Sequence, residues 1–227
     1  MKQKFTILFD LDGTLVDTAP DLMLAHNHVM RKFGYPTKST EDIRNLVGKG
    51  AGALIGRSIW GQAKKEFSKV LDEKIKEEMV KEFVNFYGKN IVNESTLING
   101  VKEFLKWCKD QNISMAVCTN KQEHLSNDLL KKIGIYDFFE YVAGSNTFDY
   151  CKPDPRHLTS VIEILDGDIK KTIMIGDSET DANAAKAAEI PVILLENGYT
   201  EKNTTEIYHN HLIKDFIGIE KIISKYL

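Results

Sequence analysis

The sequence lacks the features that mark several large classes of protein. Its three cysteines, Cys108, Cys118 and Cys151, are odd in number and form no Cys-x-x-Cys pair, which argues against a disulfide framework and a zinc site. No apolar run approaches the ~20 residues that a membrane helix needs, and Asp10 and Asp12 interrupt the apolar start too early for a signal peptide. Lys and Arg number 30 against 33 Asp and Glu, so no basic excess indicates a nucleic-acid or lipid-surface binder. We therefore expect a cytoplasmic protein with no nucleic-acid partner and no membrane partner.

Short apolar runs alternate with amphipathic segments of helix length over most of the chain. Runs that stop abruptly at polar residues occupy 5–9, 113–118, 141–143, 172–175 and 191–195. Amphipathic segments occupy 101–109, 121–132, 154–165 and 178–189. Continuous apolar runs are typical of parallel strands covered on both faces, so the alternation predicts an α/β fold with a Rossmann-like parallel sheet and helices on both faces. Residues 212–227 are expected to add a short edge strand and a closing helix.

Residues 16–93 have a different texture, in which no convincing strand appears. Their apolar residues recur at helical spacing, and the segments Gly34-Tyr35-Pro36 and Gly48-Lys49-Gly50 predict breaks between helices. The two clearest stripes are Leu22, Met23, Ala25, Val29, Met30 and Phe33, and Ile75, Met79, Val80, Phe83, Phe86 and Tyr87. The simplest interpretation is an all-helical domain at 16–93, inserted into an α/β core formed by residues 1–15 and 94–227.

Candidate catalytic residues follow the first predicted strand. Asp10 and Asp12 stand two residues apart, directly after the apolar run and before Gly13. Ligands of open parallel sheets bind beyond the carboxyl ends of the strands, so both carboxylates are expected at the binding edge. Two carboxylates at this spacing can divide nucleophilic attack from proton transfer, and Gly13 lets the backbone approach an anion closely. The structural alternative is an Asp-Gly turn that merely closes a strand.

Three further polar groups stand at or near later strand ends. Thr119 and Asn120 follow the second strand and can hold phosphate oxygens at a helix start, while Lys152 precedes the fourth strand and can balance a phosphate. Asp177 and Asp181 follow the fourth strand and offer the oxygen ligands that Mg²⁺ prefers. Helix capping or a solvated turn explains each group separately. Several carboxylates at one edge would repel one another without a cation, so the combination favours a site for Mg²⁺ and phosphate.

These groups, in this order, strongly resemble the motifs of the haloacid dehalogenase superfamily. The match consists of Asp10-Leu11-Asp12-Gly13-Thr14, Thr119, Lys152-Pro153 and Gly176-Asp177-Ser178-x-x-Asp181. The helical block at 16–93 is similar to the small cap that this superfamily inserts next to its nucleophile. The resemblance implies a phosphatase rather than a dehalogenase, because the dehalogenase branch lacks an Asp at the position of Asp12.

The resemblance also implies a catalytic role for each residue. Asp10 would be the nucleophile that attacks phosphorus and forms an aspartyl-phosphate. Asp12 would protonate the leaving oxygen and then activate water. Thr119, with the backbone of Asn120, would bind the phosphoryl group, which Lys152 would stabilise.

Mg²⁺ is the cofactor that the resemblance implies. The ion would be held by Asp10, by the backbone carbonyl of Asp12 and by Asp177, with Asp181 supporting the metal site. The implied partner is a small phosphorylated metabolite, and the implied enzyme is a monomer or a homodimer.

Within the superfamily, the sequence is most similar to the branch that hydrolyses 2-phosphoglycolate. The similar segments are 17–22, 34–36, 43–51 and 198–199. A sugar-phosphate mutase or a pyrophosphatase of the same superfamily is the enzymatic alternative; mutases tend to carry His shortly after an Asp-Thr-Ala stretch, where this chain has Pro20-Asp21-Leu22. A phosphate-binding regulatory protein is the non-enzymatic alternative, but it predicts a missing nucleophile or metal ligand, and none is missing.

Lys49 and Arg57, in the predicted helical domain, are cations that can bind a carboxylate of the substrate.

The sequence departs from the family pattern at Glu189, where the family usually has Gly after its Ala-rich helix. Because Glu tolerates a left-handed helix end poorly, we expect this helix end to differ.

Overall fold

A computed structural model describes residues 4–63 and 73–227. The strands of this part are β1 (Thr6–Phe9), β2 (Val16–Asp17), β3 (Thr96–Leu97), β4 (Ser114–Cys118), β5 (Tyr141–Ala143), β6 (Thr172–Gly176), β7 (Val192–Leu195) and β8 (His211–Ile213). Six of them form one parallel sheet in the order β5-β4-β1-β6-β7-β8. The predicted α/β fold and all five apolar strands are therefore confirmed, and β8 is the expected edge strand.

The helices connect the strands or form the block that follows β2. They are α1 (Ala19–Phe33), α2 (Thr40–Arg44), α3 (Ala51–Ala63), α4 (Glu73–Lys89), α5 (Val101–Asp110), α6 (Glu123–Ile133), α7 (Arg156–Ile164), α8 (Glu179–Ala187) and α9 (Glu220–Ile223). In the described ranges, none of these helices has the length and apolar character needed to cross a membrane.

The core lies on both faces of the sheet. All four residues of β1 are buried, and their side chains alternate between the faces, so Ile7 and Phe9 enter one apolar cluster and Leu8 enters the other. Helices α5 and α6 cover the first cluster, and α7 and α8 cover the second. Because β1 is central and hydrogen-bonded to β4 and β6, the loop that follows it is held in the middle of the sheet edge.

Helices α1–α4 pack on one another, α1 against α2 and α4, and α3 against α4. The predicted breaks are present: Gly34 ends α1 with φ +77°, and α3 begins directly after Gly50. The expectation of no strand in 16–93 is wrong in one place, because β2 pairs antiparallel with β3. The carboxylate of Asp21 accepts hydrogen bonds from the backbone N–H groups of residues 93–95. These bonds connect the start of α1 with the segment that leads into β3. The division into core and inserted domain stays a prediction.

The expectation that Glu189 changes the end of α8 is also wrong. Glu189 adopts the left-handed conformation itself, with φ +57°, and the backbone N–H of Ile190 still donates to Ala185 at 2.9 Å. Ile190 is 2% exposed and packs in the core. Burial of this side chain offsets the roughly 1–2 kcal/mol that a left-handed non-glycine residue costs.

Candidate active site

The loop after β1 places Asp10 at the carboxyl edge of the sheet. The backbone N–H of Asp10 donates to the carbonyl of Ile175 at 2.9 Å, which continues the pairing with β6. Gly13 then turns the chain with φ +82°. A Cβ on Gly13 would overlap Oδ2 of Asp177 and would lie 2.9 Å from the ring of Tyr199. The turn therefore requires glycine, and it brings Asp10 close to the loop after β6.

Asp10 and Lys152 form a buried ion pair. Lys152 is 2% exposed, and its Nζ lies 2.9 Å from Oδ1 of Asp10 and 2.6 Å from Oδ1 of Asp181. The contact with Asp10 lacks the alignment of a hydrogen bond, since Oδ1 has no hydrogen-bond partner among residues 4–63 and 73–227. Burial raises the pKa of Asp10 to about 6, although Lys152 opposes the shift. Burial alone would lower the pKa of Lys152, but Asp10 and Asp181 raise it above its ordinary value.

Asp177 and Asp181 are fixed by backbone N–H groups. Asp177 precedes α8, and its Oδ2 accepts from the N–H of Tyr199 at 2.6 Å. Asp181 lies in the first turn of α8, and its Oδ2 accepts from the N–H groups of Asp177 at 3.2 Å and Ser178 at 3.0 Å. Burial and the neighbouring carboxylates of Asp181 and Asp10 hold the pKa of Asp177 well above its usual range. The capping interaction that we considered for this segment does form, but it also orients two acids of the site.

The acidic cluster fits a divalent cation. One carboxylate oxygen from each of Asp10, Asp177 and Asp181 lies within 4.8 Å of the others. Both oxygens of Asp181 are engaged, one by the Lys152 ammonium at 2.6 Å and one by backbone N–H groups. Oδ1 of Asp177 accepts only a long hydrogen bond of 3.3 Å from Oγ1 of Thr14, and Oδ1 of Asp10 accepts none among the described residues. Asp10 and Asp177 therefore offer the less strongly held oxygens to an ion. An all-oxygen donor set is the set that Mg²⁺ prefers, and a cation would relieve the repulsion that raises the pKa of Asp177.

Thr119 and Asn120 follow β4 at the same sheet edge. The backbone N–H of Thr119 donates to Ala143, and α6 begins only at Glu123, so Thr119 does not cap this helix. The amide Nδ2 of Asn120 donates to the carbonyls of Gly48 at 3.0 Å and Lys152 at 2.9 Å. Asn120 therefore joins the helical block, β4 and the Lys152 loop.

The carboxylate of Asp12 lies outside the acidic cluster, and its main partner was missed by sequence reasoning. Asp12 accepts from Oγ1 of Thr18 at 2.7 Å and from Nζ of Lys121 at 2.8 and 3.0 Å. Lys121 is 8% exposed, and its Nζ lies 4.3 Å from the ring centroid of Tyr87. The position of Lys121, directly after two candidate ligands at a strand end, is the signal that could have found it.

Tyr199 is a second residue whose role was missed. Its backbone N–H holds Asp177, while its hydroxyl donates to Asp17 at 2.5 Å and accepts from the N–H of Ala19 at 2.9 Å. The guanidinium of Arg44 on α2 lies 5.4 Å from the ring centroid. Tyr199 therefore links the acidic cluster with the start of the helical block.

A cavity of about 280 Å³ lies between the sheet edge and the helical block. The site residues that line it are Asp10, Asp12, Thr119, Asn120 and Lys121, and the apolar residues include Leu22, Leu54, Val80, Phe83, Val84 and Leu125. Of the two cations considered for a substrate carboxylate, Lys49 lines the cavity and is exposed. Arg57 does not line it, because its guanidinium binds Glu201 and the carbonyls of Asn45 and Leu46.

The site lies at the carboxyl edge of a parallel sheet, and its buried acidic cluster is next to a cavity. These features are typical of α/β hydrolytic enzymes that act on phosphate esters. The model of the haloacid dehalogenase-like hydrolase family matches residues 7–195. A phosphoglycolate phosphatase from Caulobacter vibrioides is 37% identical over 216 residues, which cover 95% of this chain and 89% of that protein. The chain therefore belongs to the haloacid dehalogenase-like hydrolase family and is a phosphatase within it.

Solved structures agree with this assignment. A predicted phosphoglycolate phosphatase from Haemophilus somnus is 31% identical, with a TM-score of 0.90 over 98% of this chain and 99% of that one. A β-phosphoglucomutase from Clostridium difficile is 22% identical and has a TM-score of 0.78 over 98% and 97% of the two chains. Since the fold is shared by a mutase, the fold alone does not separate the two activities.

Proposed function

We propose that this protein is a Mg²⁺-dependent phosphatase that hydrolyses a small phosphomonoester, 2-phosphoglycolate first, through an aspartyl-phosphate. The observation that carries the proposal is Asp10 itself. Its buried carboxylate lines the cavity, lies 2.9 Å from the Lys152 ammonium, and has Asp12 two residues away on the same cavity wall. A nucleophile and a proton carrier at one end of a small cavity suit a two-step displacement.

The proposed reaction uses the two carboxylates in turn. Oδ of Asp10 attacks phosphorus, and the bond to the ester oxygen breaks as Asp12 gives that oxygen a proton. Asp12 then takes a proton from water, whose oxygen attacks the aspartyl-phosphate and releases phosphate and free Asp10. Thr119, the backbone N–H of Asn120 and Lys152 hold the phosphoryl oxygens, which is the electrostatic stabilisation that phosphoryl transfer requires.

Asp10, Asp177 and the backbone carbonyl of Asp12 are the proposed Mg²⁺ ligands, with Asp181 orienting the site. The ion would offset the repulsion between the anionic substrate and the carboxylates. Lys152 already neutralises part of the charge of Asp10 and Asp181, so the carboxylate of Asp177 is the one that most needs the ion.

Residues 16–93 are proposed to act as the cap of a core formed by 1–15 and 94–227. Their apolar side chains border the cavity, so closure of the cap would exclude water from the reacting phosphate. The volume of about 280 Å³ suits a small metabolite. The relatives named phosphoglycolate phosphatases support 2-phosphoglycolate as the first candidate. We also propose a cytoplasmic monomer or homodimer.

The test is a panel of phosphate esters combined with a nucleophile variant. We expect kcat/KM to be highest for 2-phosphoglycolate among a set that includes sugar phosphates, nucleotides and pyrophosphate. Asp10→Asn should lower kcat by about 10⁴-fold or more, because the nucleophile is removed. Asp128→Asn, a matched change of an exposed carboxylate on α6, should leave kcat unchanged.

Three results would contradict the proposal. Full turnover by Asp10→Asn would exclude Asp10 as the nucleophile. Interconversion of sugar phosphates without release of phosphate would indicate a mutase, and a preference for pyrophosphate would indicate a pyrophosphatase.

A further inference from the structure

The cavity has one polar and one apolar wall. The loops after β1 and β4 supply Asp10, Asp12 and Thr119, whereas α3 and α4 supply apolar side chains such as Leu54 and Val80. An apolar wall cannot solvate a second charge on a bound ester, because an unpaired charge in apolar surroundings is strongly disfavoured. A second charged group on the substrate therefore needs a polar partner between these walls.

Lys121 occupies this position. It is 8% exposed and lines the cavity, and its Nζ contacts both the carboxylate of Asp12 in the core and the ring of Tyr87 on α4. An ammonium has three donors. In the described part of the chain only the two oxygens of Asp12 accept from it, so one donor remains for a ligand.

Tyr87 adds an unused hydroxyl at the same place. The residue is 1% exposed and lines the cavity, yet its hydroxyl has no hydrogen-bond partner within residues 4–63 and 73–227. Buried polar atoms nearly always have a partner, and a ligand or a water molecule supplies one where the protein does not. Since Nζ of Lys121 lies against the ring that carries this hydroxyl, one small ligand group can reach both.

The position of Asp12 sets the distance between this place and the ester bond. In the proposed reaction, Asp12 must lie within hydrogen-bond distance of the leaving oxygen to protonate it. Lys121 stands one hydrogen bond beyond Asp12. A group that binds Lys121 is therefore separated from the ester oxygen by only a few covalent bonds.

We infer that Lys121 and Tyr87 form a subsite for a second anionic group of the substrate, a carboxylate close to the ester oxygen. The inference rests on the proposed phosphatase function and adds the two residues that recognise the carboxylate of the substrate. The ammonium donates to the carboxylate while keeping its contact with Asp12, and the Tyr87 hydroxyl donates a second hydrogen bond.

The test compares two esters that differ only at the proposed contact. 2-Phosphoglycolate carries a carboxylate where ethyl phosphate carries a methyl group. Wild-type enzyme should favour 2-phosphoglycolate in kcat/KM, and Lys121→Met should reduce that preference by about 10- to 100-fold, the range for a lost charged hydrogen bond. Tyr87→Phe should raise KM for 2-phosphoglycolate by about 3- to 10-fold and leave KM for ethyl phosphate unchanged.

A matched pair outside the cavity provides the control. Nζ of Lys131 lies 4.8 Å from the ring centroid of Tyr136, and neither residue lines the cavity. Lys131→Met and Tyr136→Phe should therefore leave the preference unchanged. Lys121→Arg, which keeps the charge, should retain most of it.

A binding measurement separates recognition from turnover. In an Asp10→Asn background, calorimetric titration should give a Kd for 2-phosphoglycolate that rises about 10-fold or more with Lys121→Met. The Kd for ethyl phosphate should not change.

The outcomes distinguish this inference from the function on which it rests. If Lys121→Met lowers kcat/KM equally for both esters, Lys121 acts only through Asp12 and the subsite is excluded. A wild-type enzyme that hydrolyses both esters equally well also overturns the subsite, while leaving the phosphatase intact. A wild-type enzyme inactive on every phosphomonoester overturns the proposed function, and the subsite with it.

Discussion

The sheet side and the helix side of the cavity differ in charge, burial and hydrogen bonding. On the sheet side, Asp177 and Asp181 are at most 1% exposed and accept hydrogen bonds from backbone N–H groups. On the helix side, the residues of α3 and α4 that border the cavity are mainly apolar, as Leu54 and Phe83 are. The sheet side is therefore fixed before a substrate arrives, as transition-state stabilisation requires, whereas the helix side limits size and water access.

The proposed metal site lies on the sheet side, and its loss carries the largest expected effect. Chelation of Mg²⁺ should abolish activity, and so should Asp177→Asn. A readout independent of turnover is stability, because Mg²⁺ at 100 times its Kd should stabilise the wild type by about 2.7 kcal/mol. Thermal or chemical unfolding with and without Mg²⁺ measures this difference.

Two variants test whether Asp177 is responsible for the stabilisation by Mg²⁺. Asp177→Asn should lose the stabilisation by Mg²⁺, whereas Asp128→Asn, an exposed change on α6, should retain it. Undiminished rates in excess chelator, or equal stabilisation of Asp177→Asn, would exclude Asp177 as a ligand.

Two glycines test whether the sheet side is packed more tightly than the helix side. Gly13 and Gly34 have nearly the same φ, +82° and +77°, so alanine is strained at either by about 1–2 kcal/mol. At Gly13 the new Cβ also overlaps Asp177 and Tyr199, whereas no atom lies within 4 Å at Gly34. We expect Gly13→Ala to cost about 3–5 kcal/mol in free energy of unfolding and Gly34→Ala about 1 kcal/mol.

Denaturant titration of both variants measures the two costs. Similar values for the two glycines would show that the close packing around Asp177 yields easily, which would contradict a site fixed in advance.

The sheet edge was the predictable part because short-range patterns determine it. Each of the five apolar runs became a strand, and β1, β4 and β6 carry candidate residues after their carboxyl ends, as with Asp10 after β1 and Asp177 after β6. Parallel pairing then brings these ends together, although the residues are 167 positions apart by their numbers. The sequence does not indicate which atoms of these side chains contact one another. The catalytic roles of these residues stay predictions.

The contacts between core and helical block were not predictable. Tyr87 belongs to an apolar helical stripe, and nothing in that spacing indicates that its ring meets Lys121. Within the core, Asp12 and Lys121 are separated by 109 positions. The place of Lys121 after two candidate ligands marks it as a site residue, but no pattern indicates that Asp12 is its partner. The prediction for the end of α8 was wrong for a different reason. The local preference of Glu189 against a left-handed conformation is outweighed by the burial of Ile190.

A buried histidine behind the sheet edge gives an effect that is absent at neutral pH and develops only on acidification. His157 on α7 is fully buried, and its Nε2 lies 3.3 Å from the carbonyl of Gly144. Burial, helped by the charge of Lys152, lowers the pKa of His157 to about 4. In the unfolded chain the same group has a pKa of about 6.5. Above that value both states are neutral, and His157 imposes no penalty on folding.

Acidification should therefore destabilise the protein through this residue. Between pH 6.5 and 4, His157 becomes protonated in the unfolded chain but stays neutral in the folded protein. The free energy of unfolding therefore falls by up to about 3 kcal/mol. Denaturant titrations across this range, compared with those of His157→Gln, isolate the contribution from that of the carboxylates. His124→Gln, on the exposed side of α6, should follow the wild type. If His157→Gln shows the same pH dependence as the wild type, His157 takes up a proton in the folded protein, and the fixed structure of the sheet side does not extend to α7.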